Sequence, residues 1–270
     1  MKRRPLFWFL ALAYGLSWVI EIPLALQAQG ILPEFIPYRF HHIARSGPLI
    51  ASLVVTAMST GKKGLRDLWS RLTHWRVNPV WWLAASSPLW IYLLISGVLW
   101  LIQGQEVDWI ALGQVNTLPP LGLLAIPLWI LTFGIGEETG WRGFALPWLQ
   151  KKHNALTASL LLWVIWAFWH LPLFFYSYDP SIIPGMLVGL LAGTITFTWL
   201  YNSTSGSVLM TIIWHGLFNA TTACISCQTG LTTALISALV MVWAVVIVVW
   251  LRPADLAHAR KRLIKHKWRS

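Results

Sequence analysis

The chain has 270 residues, of which 57% are hydrophobic and only 11% are charged, and its formal net charge is +11. A soluble domain carries about 25% charged residues, so this composition excludes an ordinary soluble fold. The basic residues lie at the ends of apolar runs, so we expect membrane lipid as a partner and no nucleic acid.

Repeated apolar runs about twenty residues long predict an all-α fold. We expect a polytopic membrane helical bundle of about eight transmembrane helices, with residues 1–270 forming a single transmembrane domain. The first run is too long for the core of a signal peptide and has no clear cleavage site, so we interpret it as a helix. The predicted transmembrane helices span 5–26, 43–60, 80–102, about 119–150, 155–177, 183–201, 207–226 and 232–251.

An amphipathic helix is predicted between the second and third transmembrane helices. Leucine and tryptophan recur at helical spacing from Leu65 to Trp75, and charged residues such as Arg66 and Arg71 fill the opposite face. This pattern is typical of a helix that lies on the membrane surface, so we expect one interfacial amphipathic helix there.

The distribution of basic residues indicates the orientation of the bundle. With the N-terminus inside, eighteen of the twenty lysines and arginines fall in inner segments, and only Arg39 and Arg45 fall outside. The positive-inside rule then places both termini in the cytoplasm, with residues 252–270 as a basic cytoplasmic tail.

Three isolated polar or thiol side chains lie within apolar runs. Glu21, near the far end of the first predicted helix, is a functional candidate because it is an intramembrane acid. Its closeness to the interface favours a side chain that reaches the headgroups instead. Cys224 and Cys227 have the C-x-x-C spacing of redox and metal sites, but their apolar surroundings favour a packing role.

Residues 134–143 place two adjacent acids, Glu137 and Glu138, and one base, Arg142, inside an apolar run. Each ionisable group at the bilayer centre costs about 2.5–3.5 kcal/mol on insertion scales, so three of them require partners or a function. Glu138 and Arg142 are four residues apart and can pair on one helix face, whereas Glu137 lies about 100° around the helix. We therefore predict that one acid is structural and the other is free for chemistry. Close contact with neighbouring helices is predicted at Gly134, Gly136, Gly140 and Gly143.

Two further polar motifs lie at a similar predicted depth. His170 follows fifteen residues after the start of the fifth predicted helix, and His215 and Asn219 project from one face of the seventh. At a rise of 1.5 Å per residue, Glu137 and His170 lie about 21–23 Å from the inner turn. The motif of the seventh helix lies about 14–20 Å from it. We expect these side chains to converge on one level of the bundle.

This set of residues suits two hydrolytic mechanisms. In the first, Glu137 is the general base for a water that attacks a peptide carbonyl, and His215 and Asn219 stabilise the oxyanion. In the second, His170 and His215 bind zinc, with an acid as ligand or base. The chain lacks H-E-x-x-H, the strongest zinc-peptidase motif, and the cofactor stays open between zinc and a metal-free glutamate mechanism.

The three motifs resemble those of the CAAX protease and bacteriocin-processing family, which are E-E-x-x-x-R, F-x-x-x-H, and H-x-x-x-N or H-x-x-x-D. The resemblance covers about residues 119–225, which we interpret as the catalytic core. Trp166 stands where the family usually has phenylalanine. Because an aromatic ring is kept, we expect only local repacking at this position.

The resemblance implies an intramembrane endopeptidase in which the first acid activates water and the arginine holds the second acid. His170 would assist as a second base or orienter, and His215 and Asn219 would form the oxyanion site. Eukaryotic members remove the last three residues of prenylated CAAX proteins, so membrane-associated protein or peptide substrates, including lipidated ones, are implied. The predicted active-site residues are Glu137, Glu138, Arg142, His170, His215 and Asn219.

Two other functions are alternatives. A non-catalytic membrane scaffold, or a bacteriocin self-immunity protein, would keep the Glu138–Arg142 pair for structure alone. A transporter would use the buried acids as a proton relay, but no broken-helix repeat is visible. In each case we expect an integral, multi-pass protein of a bacterial plasma membrane.

Overall fold

The computed structural model describes residues 4–104, 112–115, 121–223 and 231–257, and these residues form helices and no β-strand. The predicted all-α fold class is confirmed. Cys224, Cys227 and most of the basic tail lie outside the described residues. The helices are α1 (Pro5–Ala28), α2 (Phe40–Ala44), α3 (Gly47–Leu72), α4 (Pro79–Ala85), α5 (Ser87–Gln103), α6 (residues 125–149), α7 (Ala155–Trp169), α8 (Ile183–Ser203), α9 (Val208–Thr222) and α10 (Leu231–Trp250).

Several of these helices are long and apolar enough to cross a membrane, and the protein is an integral membrane protein. By length and composition, four segments of the described chain qualify, and a fifth does if α4 and α5 form one span despite the 60° bend between them. Helix α7 is apolar but has only 15 residues. The predicted number of eight transmembrane helices therefore stays a prediction. The four segments are Pro5–Ala28, Phe40–Leu72, Pro180–Ser203 and Leu231–Trp250.

Helix α3 joins two predicted elements, the second transmembrane helix and the amphipathic helix, into one bent helix. The bend lies at Gly61, whose φ of +63° is a left-handed conformation that glycine adopts without a steric penalty. Beyond the bend, Leu68 is buried and Trp69 is exposed. Arg71 donates a 2.7 Å hydrogen bond to the carbonyl oxygen of Gly143 in α6. The amphipathic segment is thus anchored to the bundle, and its position on the membrane surface stays a prediction.

Helix α7 is shorter than the predicted fifth transmembrane helix, 155–177. At its start, the side chain of Asn154 accepts a 2.8 Å hydrogen bond from the backbone N–H of Thr157. The helix ends at Trp169 because Pro172 lacks a backbone N–H and disfavours helical geometry in the residue before it. The early end places His170 at the C-terminus of α7, where it is buried.

Helix α6 contacts both α3 and α9 and carries the acidic stretch through the middle of the bundle. Two π-helical turns, Ile130–Ile135 and Trp141–Ala145, flank its α-helical segment Gly136–Gly140. A π-turn accommodates one extra residue and is frequent at functional sites. The two adjacent acids lie on the segment between these turns.

The close contact predicted at glycines of the acidic stretch is present where α6 meets the start of α3. A Cβ atom built on Gly136 would lie 2.7 Å from the carbonyl oxygen of Arg45, and one built on Gly140 would lie 2.5 Å from the Cβ of Pro48. Such distances leave no space for a side chain, so glycine is required at both positions. The contact brings Arg45 next to the acids.

Candidate active site

Glu138 makes the predicted pair with Arg142. The Nη1 atom of Arg142 donates a 2.8 Å hydrogen bond to Glu138 Oε1, and both side chains are fully buried. The spacing of four residues places them on one face of α6. The guanidinium also lies 4.1 Å from the ring centroid of Phe197 and 4.6 Å from that of Trp166. Cation–π contacts of this kind stabilise a positive charge that is removed from water.

Glu138 has a second partner, His215, one of the residues expected to converge on the level of the acids. The Nδ1 atom of His215 lies 2.8 Å from Glu138 Oε1, although the two residues are 77 positions apart. The Nδ1–H of His215 donates to this carboxylate oxygen, and the other ring nitrogen, Nε2, makes no hydrogen bond to Glu138. Glu138 therefore joins α6 to α9 through two short hydrogen bonds.

Glu137 has different surroundings although it is the adjacent residue. Its side chain is only 1% exposed. The Oε2 atom accepts a 2.9 Å hydrogen bond from the indole Nε1 of Trp166. The Oε1 atom lies 3.7 Å from Arg45 Nη1 and accepts no hydrogen bond from the described residues. One carboxylate oxygen of Glu137 is thus held, and the other can accept a proton from water.

Trp166 does more than preserve an aromatic ring. The expectation of only local repacking is wrong, because the indole N–H donates to Glu137 and a phenylalanine ring has no such donor. The Trp166 ring also packs edge-on against His170 and His215, with centroid distances of 5.3 and 5.8 Å. Trp166 therefore contacts both motif histidines and the acid.

Glu21, Arg45 and Glu137 form a second buried ionic group, which we name the Arg45 cluster. Arg45 Nη2 donates a 2.7 Å hydrogen bond to Glu21 Oε1, and the two side chains are 1% and 0% exposed. The favoured interpretation of Glu21, a side chain that reaches the headgroups, is therefore wrong, because a partner is available inside the bundle. Arg45 is likewise buried, and its guanidinium lies 4.6 Å from the ring centroid of Trp169.

His170 and Asn219 have no direct hydrogen bond to the acids among the described residues. The Nδ1 atom of His170 lies 2.7 Å from the backbone carbonyl oxygen of Trp166, one turn earlier in α7. Asn219, one turn after His215 in α9, is half-buried, and its side chain makes no hydrogen bond within the described part of the chain. Of the six predicted residues, Glu138, Arg142 and His215 are joined by direct hydrogen bonds, and Glu137 is bonded to Trp166 instead.

Zinc binding is the alternative role of the two motif histidines. Within the described ranges, no group of three His, Cys, Asp or Glu side chains could hold a metal ion. Glu138 already pairs with Arg142, whose positive charge would repel a cation. The described residues therefore provide no three-ligand zinc site.

The sequence patterns did not identify Arg45 as a site residue and favoured a surface position for Glu21. Each residue nevertheless carried a signal. Glu21 is an acid in an apolar helix, and Arg45 is one of only two basic residues outside the predicted inner segments. The two signals together are consistent with an ion pair between Glu21 and Arg45. The residues are 24 positions apart, however, so no helical spacing links them.

These features define an integral membrane helical bundle with a buried acid–base centre. Residues 119–221 match the family model of the type II CAAX prenyl endopeptidase Rce1-like proteins. The chain is also 36% identical over 92 residues to CAAX prenyl protease 2 of Methanococcus maripaludis, a match that covers 31% of this chain and 34% of that protein. The match thus spans about a third of the curated relative's length. Both comparisons therefore support the resemblance of residues 119–221 to CAAX prenyl proteases.

Proposed function

We propose that the protein is an intramembrane endopeptidase that hydrolyses membrane-associated substrates with a water activated by Glu137. The difference between the two adjacent acids carries this proposal. Glu138 is bound by Arg142 and His215, each at 2.8 Å. Each acid keeps one oxygen without a hydrogen-bond donor among the described residues, but Glu138 Oε2 is fully buried and belongs to a carboxylate already paired with Arg142 at 2.8 Å. Glu137 Oε1 has only the charge of Arg45 beside it, at 3.7 Å. A buried acid with a fixed orientation and one open oxygen is suited to general-base catalysis.

In the proposed reaction, Glu137 takes a proton from a water molecule while the water oxygen bonds to the scissile carbonyl carbon. The carbonyl π electrons move to the carbonyl oxygen, which becomes an oxyanion. Collapse of this tetrahedral intermediate breaks the C–N bond, and Glu137 returns the proton to the leaving amine. Positioned proton transfer of this kind contributes about 10²–10⁴-fold to the rate.

We assign the oxyanion site to His215 and Asn219. Asn219 supplies an amide N–H that makes no other hydrogen bond within the described residues. His215 supplies an Nε2–H in its protonated, imidazolium form, since its Nδ1–H is already donated to Glu138. Polar groups in a water-poor site stabilise an oxyanion more strongly than they do in water. We assign His170 as an orienter, because its hydrogen bond to the Trp166 carbonyl holds the turn of α7 that carries the donor to Glu137.

For substrates, we propose membrane-associated proteins or peptides, including those with prenylated CAAX termini. The matched family is described as a CAAX prenyl endopeptidase, and the curated relative is named a CAAX prenyl protease. Both names support this substrate class for the matched region. A lipid anchor would also hold the substrate in the membrane that contains the site. The excess of basic residues in the predicted inner segments supports cytoplasmic termini.

A non-catalytic scaffold or self-immunity protein is the second candidate. The contact of Glu138 with Arg142 and His215 favours it, because this buried group would join α6 to α9 with or without catalysis. This candidate predicts that Glu137→Gln keeps the protein's biological function in cells. The peptidase proposal predicts that the same variant loses it.

The test is a cleavage assay of the purified protein in detergent, read by mass spectrometry. The substrates are membrane-anchored peptides, one set with prenylated CAAX termini and a matched set without the prenyl group. Glu34→Gln, the same change at an exposed acid, is the control for Glu137→Gln. We expect both wild type and the control to cleave, and Glu137→Gln to be at least about 100-fold slower at an unchanged unfolding temperature. Equal cleavage by all three proteins would contradict the mechanism.

A further inference from the structure

The Arg45 cluster brings residues from the N-terminal part of the chain to Glu137. Glu21 lies in α1 and Arg45 lies between α2 and α3, so both precede the family-matched residues 119–221. Helix α1 is also bonded to α7, since Trp18 Nε1 donates a 3.0 Å hydrogen bond to the carbonyl oxygen of Trp169. The N-terminal helices are therefore part of the wall around the acid.

Arg45 lies between two carboxylates and contacts them differently. Its Nη2 atom is 2.7 Å from Glu21 Oε1, a hydrogen bond, and its Nη1 atom is 3.7 Å from Glu137 Oε1, which is beyond hydrogen-bond distance. The positive charge therefore attracts Glu137 Oε1 without occupying the lone pairs that a water would use. A direct bidentate pair would have blocked them.

The backbone and neighbouring rings restrict where Arg45 can move. Gly136 has no side chain, and the carbonyl oxygen of Arg45 lies against it, one residue before Glu137. The guanidinium lies over two aromatic rings, with centroid distances of 4.6 Å to Trp169 and 5.5 Å to Phe133. These contacts hold the charge close to one oxygen of Glu137.

A contribution to stability does not by itself explain the buried pair of Glu21 and Arg45. Glu21 Oε2 and Arg45 Nε are buried and make no hydrogen bond with any described residue. Buried polar groups without partners reduce stability, and a buried ion pair is often no better than apolar packing. The arrangement is better explained by a requirement for a positive charge at this place.

We propose that Arg45, held by Glu21, is a positioning residue for Glu137, so that the N-terminal helices complete the active site. This inference rests on the proposed function of Glu137. Arg45 stabilises the carboxylate from the Oε1 side, and Trp166 fixes it from the Oε2 side. Without Arg45, the acid loses its counter-charge and one of the two contacts that orient it.

The first experiment measures kcat and KM for Arg45→Met, Arg45→Lys and Glu21→Gln in the peptide cleavage assay. Arg39→Met, at an exposed basic residue six positions earlier, is the control. We expect Arg45→Met to lower kcat by about tenfold or more with KM little changed, because only the orientation of the base is altered. Arg45→Lys should restore part of kcat, because it returns the charge, and Glu21→Gln should have a smaller loss than Arg45→Met. Wild-type kcat in both Arg45→Met and Glu21→Gln would overturn the inference.

The second experiment does not depend on activity. A double-mutant cycle measures the unfolding temperatures of Arg45→Met, Glu137→Gln and the double variant in detergent. Residues in one ion-pair network couple, so we expect the double variant to depart from additivity by about 2 °C or more. Additive shifts would overturn the inference. If the wild-type protein cleaves no peptide, the proposed function fails, and the cycle alone then decides whether Arg45 acts on Glu137.

Discussion

The indole N–H of Trp166 donates a 2.9 Å hydrogen bond to Glu137 Oε2, across the contact between α7 and α6. The motif that this chain resembles usually has phenylalanine at the position, which would fill similar space without a donor. Hydrogen bonds to an ionised group are about twice as strong as neutral ones. This chain therefore carries an additional constraint on the orientation of the proposed base.

Replacing Trp166 with phenylalanine removes the donor and keeps an aromatic ring. A hydrogen bond to a charged group contributes about 1.5–3 kcal/mol, so kcat should fall by about 10- to 100-fold while KM changes little. Trp163→Phe is the matched control, since it removes an indole donor from the same helix, where a 3.0 Å bond goes to the carbonyl of Leu187. Equal losses in both variants would mean that packing of α7, and not the bond to Glu137, is responsible.

Replacing Arg142 with methionine should destabilise the bundle. The change leaves Glu138 with a single hydrogen-bond partner in a fully buried position. Removal of one partner from a buried ion pair costs about 3–5 kcal/mol, so the unfolding temperature in detergent should fall by several degrees. Arg66→Met, at an exposed position of α3, should leave it unchanged. If Arg142→Met and Arg66→Met unfold at the same temperature, the Glu138–Arg142 pair does not stabilise the bundle.

The contact between α3 and α6 can be tested with a single added methyl group. In Gly140→Ala, the new Cβ would meet the backbone and side chain of Pro48, and overpacking of this kind costs about 1–3 kcal/mol. Gly97→Ala adds the same group in α5, where no atom lies within 4 Å. We expect a lower unfolding temperature for Gly140→Ala only. No difference between the variants would show that the helices can separate without cost.

Metal dependence is tested by chelation. Because the described residues contain no group of three ligands for a metal ion, we expect cleavage to continue in 1,10-phenanthroline at the rate seen with its non-chelating 1,7 isomer. Inhibition by the chelating isomer alone, reversed by added zinc, would replace the glutamate mechanism with a metal-assisted one.

The helices followed from the apolar pattern, but the breaks within them did not. The uninterrupted run at 232–251 predicted α10, Leu231–Trp250, to within one residue at each end. The bend at Gly61 depends on a left-handed backbone conformation, which a glycine permits but does not require. The end of α7 at Trp169 had a visible cause in Pro172, yet the apolar run continued past it.

In the site, contacts within one helix were easier to predict than contacts between helices. The Glu138–Arg142 pair was predictable because the spacing of four residues brings both side chains to one face of a helix. The approach of His215 to the acids was expected from its depth, but the choice of Glu138 as its partner was not. The pair of Glu21 with Arg45 was not predicted either, because it depends on which helices are neighbours. Periodicity within one sequence contains no information about such neighbours.

The most direct test of the central claim compares Glu137→Gln with Glu138→Gln, measuring kcat and the unfolding temperature of each. We expect Glu137→Gln to lose at least about 100-fold in kcat while it unfolds close to the wild-type temperature. Glu138→Gln should unfold several degrees lower, because it weakens the bonds to Arg142 and His215. Full cleavage by Glu137→Gln, or an unchanged unfolding temperature for Glu138→Gln, would contradict the division of roles between the two acids.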